Sequence, residues 1–569
     1  MAEYLSPGVY VEEFDAGSKS MEGIGTSTAG FTGLAERGQV GGLPQLVTSF
    51  SDFKRKYGGY LSANEFGNYR FLAYSVEHFF INGGSRCYIS RVIPADAKAS
   101  SADNSIFTVT AKNEGIWGND IVINITPSSK AKTQILEVTD DENNQCKVKK
   151  SVNFNAGDIV AFDDGTSVSY NKVIKSQDNM IEFAQKIENS FEDKNLVPVK
   201  TISTCEFDIT VKYDDQTEVY ENVSFNIQAA NYIEKVIEKS NLINISVNTL
   251  SDAVAAPFSL ISDEKNAESL KINLKNGSNG TAAEISADTF IGTDNGAGRR
   301  TGIQAFIDND VVSIMAVPGI TDPNVQLTLV AHCENLASRF AVLDIPQECT
   351  KVDDVVAHRN IVDSSYAAMY HPWLEVFDPL DKKNTVIPPS GSVAGIYARS
   401  DSSKGVHKAP ANEVVRACTG LSIPFNKGEQ DILNPKGVNL IRSFPGQGIR
   451  VWGARTVSSD PSWKYVNVRR LFIFIEESIK ANTNWVVFEP NTPDLWDRVQ
   501  RTVNSFLTSL WRDGALAGSS ESEAFFCNVD STTMTKDDID NGRLICVIGV
   551  APVKPAEFVI FRISQKTGE

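Results

Sequence analysis

Apolar residues recur at different periods along this chain, and the changes of period outline its organisation. Residues 311–318 (VVSIMAVP) form a short apolar run of the kind that a parallel sheet buries on both faces. Asp322 and Pro323 suit the cap and first turn of a helix with the apolar stripe Val325, Leu329, Val330, Cys333, Leu336, Ala337 and Phe340. Residues 340–345 supply the next strand, and a helix over 353–361 with a strand over 366–370 completes an α/β pattern with right-handed crossovers. A helix over 69–81, stopped at Asn82-Gly83-Gly84, and a strand over 87–92 place the N-terminal flank in the same core. The clearest local signal is a helix over 494–513, with Thr492 to cap it, Pro493 in its first turn and Gly514 at its exit. Its stripe is Trp496, Val499, Val503, Phe506, Leu507, Leu510 and Trp511, and Asp497, Arg498, Arg501 and Arg512 lie outside it. That charged side is either a solvated face or a docking face.

Between these flanks the rhythm is that of strands, as in 106–110 (IFTVT), 121–125 (IVINI) and 207–211 (FDITV), with short helices predicted over 185–191 and 232–239. The same stretch differs in composition. Residues 101–298 carry 30 acidic and 17 basic residues, every basic one a lysine, and no arginine occurs from 92 to 298. One of the seven tryptophans, Trp117, lies there. A compositional break of this kind predicts a β-rich, solvent-facing region inserted into a core built from both flanks.

The two ends read as strands. Residues 4–14 (YLSPGVYVEEF) and 557–566 (EFVIFRISQK) are β-prone where most domains fray. An exposed strand carries unpaired backbone donors and acceptors, so each end either folds back onto its own sheet or adds to a neighbour's. Lending a strand from each end would make a head-to-tail contact, and such contacts build open helical filaments when the rotation fails to close a ring.

The formal charge is −17 over 569 residues, with 41% hydrophobic and 22% charged content. An acidic surface argues against binding a nucleic-acid backbone. No basic stretch followed by an apolar core opens the sequence, and no run approaches the ~18 apolar residues of a membrane span, which predicts folding in a cytoplasm without membrane insertion. Eight cysteines occur without a C-x-x-C pair and read as small buried hydrophobes. The five histidines lack metal-ligand spacing, His332-Cys333 near Cys349 being the nearest approach to a cluster. No Walker loop, G-x-S-x-G or H-E-x-x-H occurs, the glycine-rich 292–298 reads as a linker, and Gly23–Gly30 reads as a hinge rather than a dinucleotide loop. Paired acids such as Asp163-Asp164 lack the alternation of a calcium loop. These residues predict no catalytic group, cofactor or metal.

Several phrases together resemble the tail sheath proteins of contractile phage tails, pyocins and related injection systems. They are Ser6–Glu13 (SPGVYVEE), Gly25–Gly33 (GTSTAGFTG), Gly83–Ile89 (GGSRCYI), Leu440–Phe444 (LIRSF) leading into Val451–Thr456 (VWGART), and Arg501–Leu507 (RTVNSFL) continuing through Leu510–Leu516 (LWRDGAL). The resemblance covers the first hundred residues and 299–569, and leaves out 101–298. It implies a structural subunit, not an enzyme: a virion component forming homohexameric rings that stack in a helical assembly around an inner tube and contract to drive the tube through a target envelope. It implies arms cross-linked by strand exchange through Val9, Tyr10 and Val11 at one end and Phe558, Val559, Ile560, Phe561 and Ile563 at the other, with Ala16–Gly25 as a flexible connector. Contact with the tube falls to Arg498, Arg501 and Arg512. The implied partners are further copies, the inner tube protein, and baseplate and terminal cap proteins; assembly is expected in a bacterial cytoplasm, into a phage tail or tail-like particle.

The fold class expected is an α/β core with a parallel-type sheet and flanking helices, a β-rich insert and a C-terminal α+β domain, with terminal strands exchanged. The expected divisions are an arm over 1–20, core over 21–100 and 299–439, outward-facing insert over 101–298 and C-terminal domain with its arm over 440–569. Two other readings stay open: a cytosolic α/β enzyme, and a surface-binding module carried by the acidic insert.

Overall fold

The structure, a computed structural model, describes residues 21–560 except 105, 139–143, 164, 166, 188–199, 249–257, 259–260 and 262–267. The chain is organised around a nine-stranded mixed sheet. Its strands are β1 (Ala29–Leu34), β2 (Gln45–Val47), β3 (Cys87–Val92), β4 (Ile314–Ala316), β5 (Phe340–Asp344), β6 (Ala367–His371), β7 (Glu413–Val414), β8 (Val438–Phe444) and β9 (Gly448–Val451), in the spatial order β2-β3-β1-β4-β5-β6-β8-β9-β7. Pairings from β3 across to β8 are parallel. Those at the two margins are antiparallel.

Every residue of β1, β5 and β6 is buried, as expected of parallel strands covered on both faces. Helices α1 (Leu72–Ile81) and α4 (Ser390–Lys404) cover one face through Val76, Phe79, Val393 and Tyr397. Helices α2 (Pro323–Leu336) and α3 (Val352–Arg359) cover the other through Val325, Leu329 and Val355. The Asp322 carboxylate accepts a hydrogen bond from the Asn324 amide, so the cap read from sequence forms. Strand β8 spans residue 440, and the large sheet therefore continues past that position.

The chain leaves the large sheet after β3 and rejoins it at β4. Between them lie a three-stranded sheet (Ser101–Asp103, Phe107–Ala111, Ile243–Val247), a four-stranded sheet (Val122–Ser128, Glu206–Tyr213, Gln216–Val223, Leu270–Asn273) and a closed six-stranded barrel drawn from residues 132–204. The two sheets share one core and the barrel has its own, closed around Val160, Phe162, Ile181 and Phe183. Lys130 joins them: its ammonium lies 2.8 Å from Asp158 of the barrel and 3.3 Å from Glu206 of the four-stranded sheet, both carboxylates nearly fully buried.

The last part holds α5 (Val466–Asn482), α6 (Pro493–Arg512) and a two-stranded antiparallel sheet, β10 (Phe525–Asn528) with β11 (Val547–Val550). Leu471, Ile475, Leu495, Val499, Val503, Phe506 and Leu507 form its separate core. Among the described residues no helix is long and apolar enough to cross a membrane.

Four local expectations are corrected. Residues 185–187 are not helical, and the rest of the helix expected over 185–191 lies outside the described residues. Ala29 and Gly30 belong to β1 at the centre of the sheet, so the second half of Gly23–Gly30 is no hinge. Thr492 occupies the cap position of α6 without a side-chain hydrogen bond. Trp496 and Trp511 sit at the margin of the α6 stripe, where their indole N–H groups donate to Asn491 Oδ1 at 2.6 Å and Gly518 O at 3.0 Å, and Leu495 takes the buried position instead.

Candidate assembly site

The two ends of the described chain converge on the junction between the large sheet and the C-terminal core, and each is fastened by a buried arginine. Residues 22–26 lie along α5. Asn482 Nδ2 donates to Glu22 O at 2.9 Å, and the Ile24 amide donates to Ser478 Oγ at 3.1 Å. A Cβ at Gly23 would stand 2.6 Å from the Phe474 ring, so a larger residue here would have to push that ring aside. Arg470 of α5 then donates to Thr26 O at 3.0 Å while gripping Asp401 of α4 through both carboxylate oxygens, at 2.9 and 2.6 Å. Thr26 Oγ1 donates to the same carboxylate at 2.6 Å, and the guanidinium lies over the Tyr397 ring. The pair is 3% and 4% exposed, which makes removal of either partner costly. The described part of the connector expected at Ala16–Gly25 is thus held in place; Val9, Tyr10 and Val11 lie outside the described residues.

At the other end Leu516 bridges Pro552, and Asn467 Nδ2 donates to Val553 O at 3.2 Å. The Glu557 carboxylate then receives Arg455 Nε at 2.8 Å and Nη2 at 2.6 Å, with Asn434 Nδ2 at 2.8 Å and Tyr465 Oη at 3.1 Å. Burial alone would raise this carboxyl, but the hydrogen bonds from Arg455 and Asn434 outweigh it and hold the group below its ordinary range. Immediately beyond, Phe558, Val559 and Ile560 are 72%, 69% and 78% exposed, and 554–560 form no bridge with any strand among the described residues. Phe561 and Ile563 lie outside the described residues. Three consecutive apolar side chains thus stand exposed beyond an anchored root.

β10 and β11 have only each other as strand partners among the described residues. A two-stranded sheet is marginal alone, and this one leans on α6, where Gln500 Nε2 donates to Cys527 O at 2.6 Å. Phe526 and Val547 are 52% and 44% exposed on it.

The three arginines singled out from sequence fall on one exposed stripe of α6, together with Asp494, Asp497, Ser505 and Ser509. They differ in engagement. Arg498 lies over the Trp485 ring and 3.3 Å from Glu489. Arg501 donates to Asp497 O at 3.2 Å, and Arg512 makes no ion pair among the described residues. No group of His, Cys, Asp or Glu that could hold a metal occurs among the described residues. His332 instead contacts the Arg339 guanidinium at 3.3 Å. Sequence reasoning missed Arg470, Asp401, Arg455 and Glu557, whose partners are far apart in the chain.

The described residues thus comprise a mixed α/β core, a C-terminal core of their own and a two-stranded sheet without a further strand partner. Residues 297–457 match the phage tail sheath protein central domain, and residues 458–566 match the phage tail sheath C-terminal domain. A prophage major tail sheath protein of Pseudomonas aeruginosa (strain UCBPP-PA14) is 26% identical over 291 residues, 49% of this chain and 73% of that protein. The tail sheath protein of Escherichia phage P2 is 24% identical over 324 residues, 54% of this chain and 79% of that protein. The sheath complex of an extracellular contractile injection system, PVC, in its contracted state has a TM-score of 0.53 at 22% identity and covers 100% of this chain and 99% of its own. The helical sheath of the anti-feeding prophage in its contracted state has a TM-score of 0.51 at 20% identity, covering 99% and 100%. The two matched domains run on from each other over residues 297–566, and this part of the chain is that of a contractile tail sheath protein, a structural subunit rather than an enzyme.

Proposed function

We propose that this chain polymerises into a sheath by lending both ends to neighbouring copies, and that the β10–β11 sheet receives the lent strands. The segments exchanged are Val9–Val11 and Phe558–Ile563, the first reached through residues up to 21 and the second through the tail beyond Glu557. The observation that carries this reading is the exposed Phe558-Val559-Ile560 run leaving a root clamped by Arg455. Each backbone hydrogen bond in a shared strand contributes about 0.5–1.5 kcal/mol, so several hold neighbours together while the bodies stay free to rotate. Rigid-body rotation from an extended lattice to a shorter, wider one with more buried surface would then drive an inner tube forward.

In this reading 1–20 is the N-terminal arm, 21–100 and 299–457 the core, the boundary expected at 439 moving on because β8 and β9 belong to the large sheet, 101–298 an outward-facing module, and 458–569 the C-terminal domain with its arm. The exposed stripe of α6 with Arg498, Arg501 and Arg512 faces the tube, since a contact that must break on contraction suits a few solvated ions better than a wide apolar patch. A baseplate at one end and a cap at the other complete the particle, which assembles in a bacterial cytoplasm. Negative-stain microscopy of the purified chain tests the proposal. Cylinders of stacked rings support it, and a monodisperse monomer at high concentration overturns it.

A further inference from the structure

Cys527 on β10 and Cys546, the residue before β11, place their sulfur atoms 3.4 Å apart. Cys527 is paired with Ile548 and Cys546 immediately precedes β11, so that a bond between them would tie the two strands of the small sheet and close the loop 528–545. The other six cysteines are also free thiols. Cys527 is 4% exposed and Cys546 is partly accessible, which sets an order for any reaction.

We propose that Cys527 and Cys546 are a redox-sensitive pair that closes to a disulfide when the protein meets an oxidising small-molecule disulfide. The accessible Cys546 thiolate attacks one sulfur of glutathione disulfide, forming a mixed disulfide and releasing one glutathione thiolate. Cys527 then gives up its proton and attacks the Cys546 sulfur, forming the internal bond and expelling the second glutathione. Two protein thiols are oxidised and one glutathione disulfide is reduced to two thiols. Hydrogen bonding within the pair is consistent with this order: donation from the Cys527 S–H holds the Cys546 thiol below its ordinary range and pushes Cys527 up.

The chemistry stands whatever the protein does. Its consequence rests on the proposed sheath function: a reducing cytoplasm would keep the receiving sheet open during assembly, and oxidation outside it would staple that sheet around the strands it holds. Unlike a structural disulfide, the pair would be made after folding.

The test is oxidation of the full-length folded protein with glutathione disulfide, followed by alkylation, peptide mapping and reversal with dithiothreitol. A peptide linked through Cys527 and Cys546, two hydrogen masses lighter than the reduced pair, is expected. Unfolding of the C-terminal part should shift up by about 5–10 °C, and Cys527→Ser should abolish both effects. Full alkylation of both cysteines after oxidation, or a glutathione adduct that persists on Cys546, overturns the proposal. If Cys527→Ser does not fold, the mapping on the unaltered chain still decides. Cylinder formation in dithiothreitol is scored separately, so failure of the sheath reading leaves the disulfide result unaffected.

Discussion

Arg470 and Asp401 form a bidentate ion pair across the junction of α5 and α4, and the root of the N-terminal segment is hydrogen-bonded into it through Thr26. One salt bridge thus links the central sheet domain, the C-terminal core and the beginning of β1. In the proposed sheath a subunit pulls on its neighbours through its ends, and this pair would supply the fixing point at one of them.

Replacing Arg470 by Met leaves Asp401 buried and unpaired, and should destabilise this junction by about 3–5 kcal/mol. Combining it with Asp401→Leu should recover much of that loss, because the penalty comes from the orphaned charge. Denaturant unfolding of the single and double variants, followed by tryptophan fluorescence, reads both. Equal instability of single and double variants would show that the pair itself carries the junction.

The Glu557 clasp should behave differently, since it holds a tail rather than a core. Glu557→Gln keeps the shape but weakens the contact with Arg455, at a cost of about 1–3 kcal/mol confined to the tail. The midpoint of global unfolding should hardly move, while polymerisation should become slower or require higher protein concentration. Sedimentation across a concentration series measures this.

Acid should weaken the fold through its buried histidines. Burial pushes His78, His358 and His371 down to about 4 and His332 to about 3, whereas an unfolded histidine titrates near 6.5. Between those values the unfolded chain binds protons that the folded chain refuses. Stability is therefore fully present above about pH 6.5 and is lost as pH falls toward 4, each histidine contributing at most about 1.4 kcal/mol per pH unit. Asp344 works in the opposite direction: burial raises its carboxyl to about 6, so its protonated form favours folding and that contribution is lost as pH rises from 4 to 6. Burial also lowers His407 and raises Glu206 and Glu476, so five histidines against three carboxyls predict a net loss on acidification, measurable as a falling unfolding midpoint from pH 6.5 to 4.5. Asp344→Asn should steepen that fall.

Substituting Arg498, Arg501 and Arg512 together by Glu should leave the fold intact, because all three are exposed and α6 packs through Leu495, Val499, Val503, Phe506 and Leu507. Circular dichroism should be unchanged, while co-assembly with the inner tube should be lost. Arg498→Ala alone should have a smaller effect, its guanidinium being already engaged by Trp485 and Glu489.

Local periodicity carried much of the fold. α6 was legible because seven apolar residues recur at helical spacing between Pro493 and Gly514, and β4, α2 and β5 because a doubly buried run, a capped helix and a second run follow in order. The order of the strands across the sheet was not legible, since β1 pairs with β4 across an insert of some two hundred residues. Nor was the closed barrel, whose strands are individually ordinary. The fastening residues escaped for a related reason. Arg470 and Asp401 stand 69 positions apart and Arg455 and Glu557 stand 102 apart, and a buried arginine looks the same in a sequence as an exposed one. Cys527 and Cys546, 19 apart, meet only because β10 and β11 pair.

Removal of residues 1–20 tests strand lending most directly, since the described contacts of the N-terminal root begin at Met21, which packs against the C-terminal core. The truncated chain should fold as a monomer with the circular dichroism and unfolding behaviour of the full-length protein, and electron microscopy should find no cylinders. Cylinders of normal length and abundance from the truncated chain would contradict the account.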